Sequence, residues 1–166
     1  MALRHFAAQA ATALRVRCAP SVHSGFSVPL VRSMSTVLEN LKYAKSHEWV
    51  RVDGEVAYVG ITDHAQTELG DVVHVEVKAA IDEKVTKGSP FAVVESVKAA
   101  SDVYAPVSGS IVEINETLDG SKNPELVNSS PFKEGWFAKI KLSDLSELDT
   151  LLTPKAYEDH VAASAH

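Results

Sequence analysis

The stretch VVESVKAAS, residues 93–101, sets one lysine, Lys98, among valines, alanines and serines. An ammonium group without a partner is not buried, so Lys98 has to reach water. An amine displayed in that way can be acylated, which removes its charge and hangs a new group on a flexible four-carbon stem. The ordinary reading of an exposed lysine in a turn is solubility, and residue type alone does not separate the two. Other reactive groups are sparse. His47, His64, His74, His160 and His166 show neither HxH nor HExxH spacing. The single cysteine, Cys18, cannot complete a disulfide, a CxxC pair or a zinc-cysteine site, so no metal is expected. Asp63-His64 suggests general-base chemistry, but adjacent residues on a helix do not face each other and no nucleophile motif accompanies them. Gly60, Gly70 and Gly109 do not form a phosphate-binding GxGxxG.

Short strands separated by turn residues position these groups. WVRV and EVAYVGI flank Asp53-Gly54, a dipeptide suited to a tight hairpin. In DVVHVEV, Val73, Val75 and Val77 alternate with His74 and Glu76, the period of a strand with one buried face. PFAVVES and SDVYAPV bracket Val97-Lys98, so pairing of 91–96 with 99–104 puts the lysine at a two-residue tip. Val97 is β-branched and poor at positive φ, which predicts a turn with negative φ. VSGSIVEIN and GWFAKIKL read as further strands. TDHAQTELG predicts a short helix capped by Thr62 or Asp63 and stopped at Gly70. SDLSELDTLL predicts a helix behind Ser143 with Leu145, Leu148 and Leu152 on one face. Thr153-Pro154 opens another, through about Val161. Many short strands with helices mainly at the end indicate a mainly β sandwich or flattened barrel. Trp49 and Trp136 read as core or rim packing.

The first 34 residues differ from the rest. They hold Arg4, Arg15, Arg17 and Arg32 and no acidic residue, and Leu3, Phe6, Ala10 and Leu14 recur at helical spacing. This composition predicts a cleaved mitochondrial transit peptide over 1–34, disordered or an amphipathic helix, ahead of one domain over 35–166. A plastid leader has the same physics. A secretory signal fits worse, because Gln9 and Thr12 interrupt its apolar region. Removing 4 of the 16 basic residues leaves 12 against 22 acidic ones, a net charge of −10. That excludes a nucleic-acid binder of the usual basic kind and points to basic patches on protein partners. No run of about 18 apolar residues predicts a membrane helix.

ESVKAASDVYAPVSG resembles the lipoyl-lysine hairpin of glycine cleavage system H proteins. SHEWV at 46–50, GITDHAQTELGD at 60–71, NPELVNSSPFKEGW at 123–136 and the leucine-rich C-terminal segment are similar to that family in order and spacing. The resemblance covers about residues 40–160. It implies a lipoyl/biotinyl-type flattened β-barrel, a barrel-sandwich hybrid of two small sheets with short added helices, mainly C-terminal. It implies a carrier without catalysis of its own, in the mitochondrial matrix, with lipoic acid amide-linked to Lys98 by lipoate-attaching enzymes. Three partners follow from it: a pyridoxal-phosphate glycine decarboxylase that loads an aminomethyl group, a tetrahydrofolate-dependent aminomethyltransferase, and a dihydrolipoyl dehydrogenase that restores the disulfide. By motif position it names Glu48 and Asp102 as carboxylates near the loaded amine and Ser46 as an added hydrogen bond. Each is also readable as a solvated surface group. Relatives place a histidine at the position of Glu68, and that contact is not carried over. The alternatives are an unmodified interaction module of the same fold, a lipoyl or biotinyl domain of another complex, and a small hydrolase using Asp63 and His64. Biotinyl domains flank their lysine with methionines, where this chain has Val97 and Ala99.

Overall fold

Chain reversal at Gly54, whose φ is +62°, pairs β2 (Glu48–Asp53) with β3 (Val56–Ile61). Asp53 pairs with Val56, so the two turn residues are Gly54 and Glu55. A positive-φ glycine in the first central position is the pattern of a type II′ hairpin. The computed structural model describes residues 35–118, 120 and 122–164, and the leader predicted over 1–34 lies outside them. Nine strands are seen among the described residues, all paired antiparallel. The larger sheet runs β1 (Lys42–Tyr43), β2, β3, β9 (Trp136–Leu142), β8 (Gly109–Ile114), β5 (Lys84–Val85), and the smaller runs β4 (Val72–Val77), β6 (Pro90–Ser96), β7 (Ala100–Tyr104). This is the mainly β architecture that the pattern predicts, in the two sheets that the family resemblance implies.

Both sheets turn one face to a common core. Val59, Ile111 and Ile140 from the larger sheet join Val75, Val94 and Val103 from the smaller, with Phe91 and Phe137. A second apolar cluster, of Leu41, Tyr43, Trp49, Phe132 and Tyr157, lies against β1 and β2. It seats the C-terminal helix α3 (Pro154–Ser164; the shorter helices are α1, Asp63–Leu69, and α2, Leu126–Ser129). Tyr157 stacks on Tyr43 with centroids 4.5 Å apart. Trp49 is fully buried and Trp136 half-buried at the rim, as their composition suggested.

Two expectations need correction. In β4 the buried residues are Val72 and Val75, and Val73 is 46% exposed. A bulge between Val72 and His74 inserts one residue and shifts the alternation. After β9, residues Leu145–Thr150 form a 3-10 helix rather than an α-helix, and its cap is Asp144, whose carboxylate accepts from the Ser146 amide at 2.8 Å. Leu152 cannot continue a helical stripe, because it exchanges backbone hydrogen bonds of 3.0 and 2.7 Å with Tyr43. Leu145 is 60% exposed. α1 keeps its expected limits, with Thr62 as N-cap and Gly70 as C-cap. α3 starts at Pro154 as expected but runs on to Ser164. α2 was not foreseen, since four residues carry no periodicity.

Trp49 faces Gly60 across β2 and β3, and a Cβ on Gly60 would lie 2.7 Å from the indole ring. The ring is fixed by burial and by its N–H, which donates to the Pro131 carbonyl at 3.0 Å. Gly60→Ala is therefore expected to destabilise the fold by about 1–3 kcal/mol in urea unfolding. An unchanged midpoint would show that the ring can yield.

Candidate functional site

The lysine at issue sits where β6 meets β7. The last strand pair is Glu95 with Ala100, and the Ser96 amide donates to the Ala99 carbonyl at 2.7 Å. Val97 and Lys98 remain as the tip, both exposed, Val97 at 78%. Neither has positive φ, as β-branching at Val97 predicts. The missing glycine is replaced by a side chain that sequence reasoning passed over. Ser96 is buried, and its hydroxyl accepts from the amides of Lys98 (3.3 Å) and Ala99 (3.1 Å). A serine hydroxyl bonded to the following backbone is a turn former. This role was legible only in outline, from a serine just before the tip.

A platform supports the tip from below. The Val97 amide donates to the Asp71 carbonyl at 3.1 Å. Asn128 of α2 ties the neighbouring segments together: its amide donates to Gln66 (2.8 Å) and the Gly70 carbonyl (3.0 Å), and its oxygen accepts from the Val72 amide (2.9 Å). The Lys98 stem runs back over the end of α1, with Cε 3.8 Å from where a Gly70 side chain would begin. Beyond Gly70 opens a cleft of about 220 Å³, floored by Ile61, Leu69, Val94 and Val103 and edged by Ser46, His47, Glu48, Glu68 and Asp102. The three cleft residues named from the sequence, Ser46, Glu48 and Asp102, thus line one cavity. A second cavity of about 230 Å³, beside Tyr43 and Leu151, shares Ser46 but collects neither Glu48 nor Asp102.

The two carboxylates differ in kind. Asp102 is exposed and pairs with Lys78 at 3.4 Å, a solvent-screened contact worth little. Glu48 is 2% exposed. One of its oxygens accepts from the Ser46 hydroxyl at 2.5 Å and the other from the Tyr104 amide at 3.0 Å. Both donors are neutral. Burial pushes the Glu48 carboxyl above the ordinary glutamate range, against the opposing pull of the bonds from Ser46 and Tyr104. Among the described residues no cation pairs with it, and a buried carboxylate without one costs stability and gains from any ammonium that enters the cleft. Glu68, set aside at the sequence level, lies at the mouth of the cleft.

The rival constellation does not assemble. Asp63 accepts from Gln66 and from the Thr36 amide, both at 2.8 Å, while His64 packs on His47. Among the described residues no group of three or more His, Cys, Asp or Glu is placed to hold a metal ion.

Two small antiparallel sheets about one core, with a lysine at the tip of a hairpin, define a lipoyl/biotinyl-type barrel-sandwich domain. Comparison with known proteins narrows this. The family model described as Glycine cleavage H-protein matches residues 41–164. The mitochondrial glycine cleavage system H protein of Oryza sativa subsp. indica is 51% identical over 160 residues, 96% of each chain. The glycine cleavage system H protein of Carboxydothermus hydrogenoformans is 51% identical over 125 residues, 75% of this chain and 94% of its own. The crystal structure of the H protein from Mycobacterium marinum superposes with a TM-score of 0.66 at 29% identity, covering 78% of this chain and all of that one. The chain belongs to the glycine cleavage H-protein family.

The state of Glu48 has a measurable consequence. Its folded pKa is raised, so its contribution to stability is fully present below the unfolded glutamate value and is lost as pH rises through the folded value. Glu48→Gln removes that loss while keeping an acceptor for Tyr104. The stability of the variant relative to the wild type is expected to rise as pH is taken upward through the folded pKa, in urea titrations of the unmodified protein. A difference that does not change with pH would mean that burial leaves Glu48 unperturbed.

Proposed function

We propose that Lys98 carries a lipoyl group in amide linkage and that the cleft beside it shelters the far end of that arm. The observation that carries this reading is an exposed tip lysine on the hairpin that also supplies Val94, Asp102 and Val103 to a cavity, whose buried carboxylate has no cationic partner among the described residues. The fit of the group is chemical. An apolar floor of Ile61, Leu69, Val94 and Val103 suits a hydrocarbon chain and a sulfur ring. Glu48, with Ser46 beside it and Asp102 at the rim, suits an amine at the end. When bound, the dithiolane supplies a disulfide that accepts and returns a one-carbon fragment and a pair of electrons.

The protein's own residues do the holding. The Ser96 turn projects Lys98 outward, so the amine is open to a lipoate-attaching enzyme. Roughly ten single bonds of about 1.5 Å each let the arm swing on the order of 10 Å. Tethering keeps the arm at high effective concentration at whichever enzyme is docked. Docked back, the arm exchanges bulk water for the cleft wall, which lowers exposure of a labile group. The partners are the glycine decarboxylase, the aminomethyltransferase and the dihydrolipoyl dehydrogenase, and the chain is a carrier among them rather than an enzyme. Curated relatives carry the word mitochondrial in their names, and the family model begins at residue 41. Both support a leader over 1–34, removed on entry to the matrix, where the carrier works.

Intact and peptide mass spectrometry of the protein from its native compartment is expected to find a lipoyl mass on Lys98. Lys98→Arg is expected to lose that mass and glycine-dependent turnover while changing stability by no more than about 0.5 kcal/mol, as for an exposed site. An unmodified lysine in lipoylating cells would favour the interaction module instead, and a biotinyl mass a different complex.

A further inference from the structure

α3 lies outside the barrel, yet its side chains reach the walls of the cleft. Tyr157 is fully buried. Its hydroxyl lies 2.7 Å from the Thr62 hydroxyl and 2.8 Å from Nδ1 of His47. Thr62 is the N-cap of α1, the helix that supplies Ala65, Glu68 and Leu69 to one wall, and His47 belongs to the segment that supplies Ser46 and Glu48 to the other. A second contact from α3, the His160 ring N–H donating to the Lys45 carbonyl at 3.0 Å, holds the same segment. His47 also has a left-handed backbone, φ +75°, which is uncommon outside glycine and persists where surrounding contacts fix it. Those contacts are the Ala44 carbonyl, the Thr62 amide and Tyr157.

The direction of the hydrogen bonds follows from the number of protons. The Thr62 hydroxyl already accepts from the Ala65 amide at 3.3 Å, and Thr62 is wholly buried. Among the described residues the Tyr157 oxygen is the one acceptor within reach of its own proton, so that proton is assigned to Tyr157, since a buried hydroxyl proton is not left unpaired. Burial holds the Tyr157 hydroxyl at about 12, so it keeps its proton, and that proton points to Nδ1 of His47. His47 is therefore neutral, with its hydrogen on Nε2.

We infer that Tyr157 is a positioning residue for the arm cleft, fixing its two walls and holding His47 as a neutral imidazole so that no positive charge sits beside Glu48. The inference rests on the proposed docking of the arm. Glu68 and His64 of α1 and His160 of α3 face the same ring, with Glu48 and Asp63 close to Tyr157. Burial first, then the two histidines, bring His47 down to about 4, opposed by Glu68. A cation at His47 would compete with the amine for Glu48; a neutral ring does not.

Two measurements test this. In ¹⁵N NMR of the unmodified wild type, His47 is expected as the Nε2–H tautomer, neutral down to about pH 5; an Nδ1–H tautomer or an ordinary titration would overturn the inference. Tyr157→Phe is expected to mix the tautomers and raise the His47 midpoint. In the lipoylated, glycine-charged protein it should quicken release of formaldehyde to buffer roughly two- to tenfold, the factor of about one hydrogen bond. The control is Val161→Ala, which thins the packing around Tyr157 and leaves its hydroxyl in place. Equal acceleration by that control, or none in Tyr157→Phe, would overturn the inference and leave the cleft reading standing. If charged wild type itself decays as fast as charged free lipoamide, the docking reading fails first, whatever the NMR shows.

Discussion

A charged or acylated amine has to stay in water while the strands on either side of it stay in the core, and antiparallel pairing of β6 with β7 meets both demands at once. The reversal leaves two residues outside the ladder. Val94 and Val103 anchor the hairpin in the core, and Ser96 satisfies the amides that a tight turn would otherwise leave open. The rest of the site follows from where this hairpin points. Its base is braced by Asp71 and, through Asn128, by the end of α1, and the lysine stem comes within 3.8 Å of where a side chain on Gly70 would begin.

The opposite wall is built at a cost. Glu48 starts β2 between the core and the cluster beneath α3, and among the described residues no cation pairs with it. Such a carboxylate weakens a fold unless it is used. The strained backbone at His47 is a second departure from local preference in the same segment. Both stand at the edge of one cavity, and both are held by groups from elsewhere in the chain: the Tyr104 amide for one, the Tyr157 hydroxyl for the other. The C-terminal helix, which adds little to the barrel core, thereby becomes part of the site.

Much of this was legible in the sequence. Alternation and turn residues pointed to a mainly β sandwich or flattened barrel, the hairpin at Gly54 and the tip at Lys98, because strand period and turns depend on local chemistry, while the division into two small sheets came from family resemblance. The phase of β4 was not legible, since the bulge at Val73 depends on its partner strand. The leucines after Asp144 suggested an α-helix, and pairing of Leu152 with Tyr43 prevented it. Ser46, Glu48 and Asp102 came from family resemblance rather than pattern. Their shared cavity and the burial of Glu48 are tertiary facts: β2 is covered on both faces at its start, so its alternation disappears where Glu48, Trp49 and Val50 are buried in succession. His47 stood out in the sequence only as a histidine without metal-ligand spacing, for its partners lie on α1 and α3, far away in the sequence.

On the proposed docking, Glu48 is a counter-charge waiting for the arm's amine. The most direct test is carboxyl ¹³C NMR of glutamate-labelled, lipoylated protein, titrated before and after charging with glycine. The Glu48 midpoint, raised in the uncharged protein, is expected to move to lower pH on charging, because an ammonium beside the carboxylate favours its ionised form. A midpoint that stays where it was would mean that the amine does not dock beside Glu48.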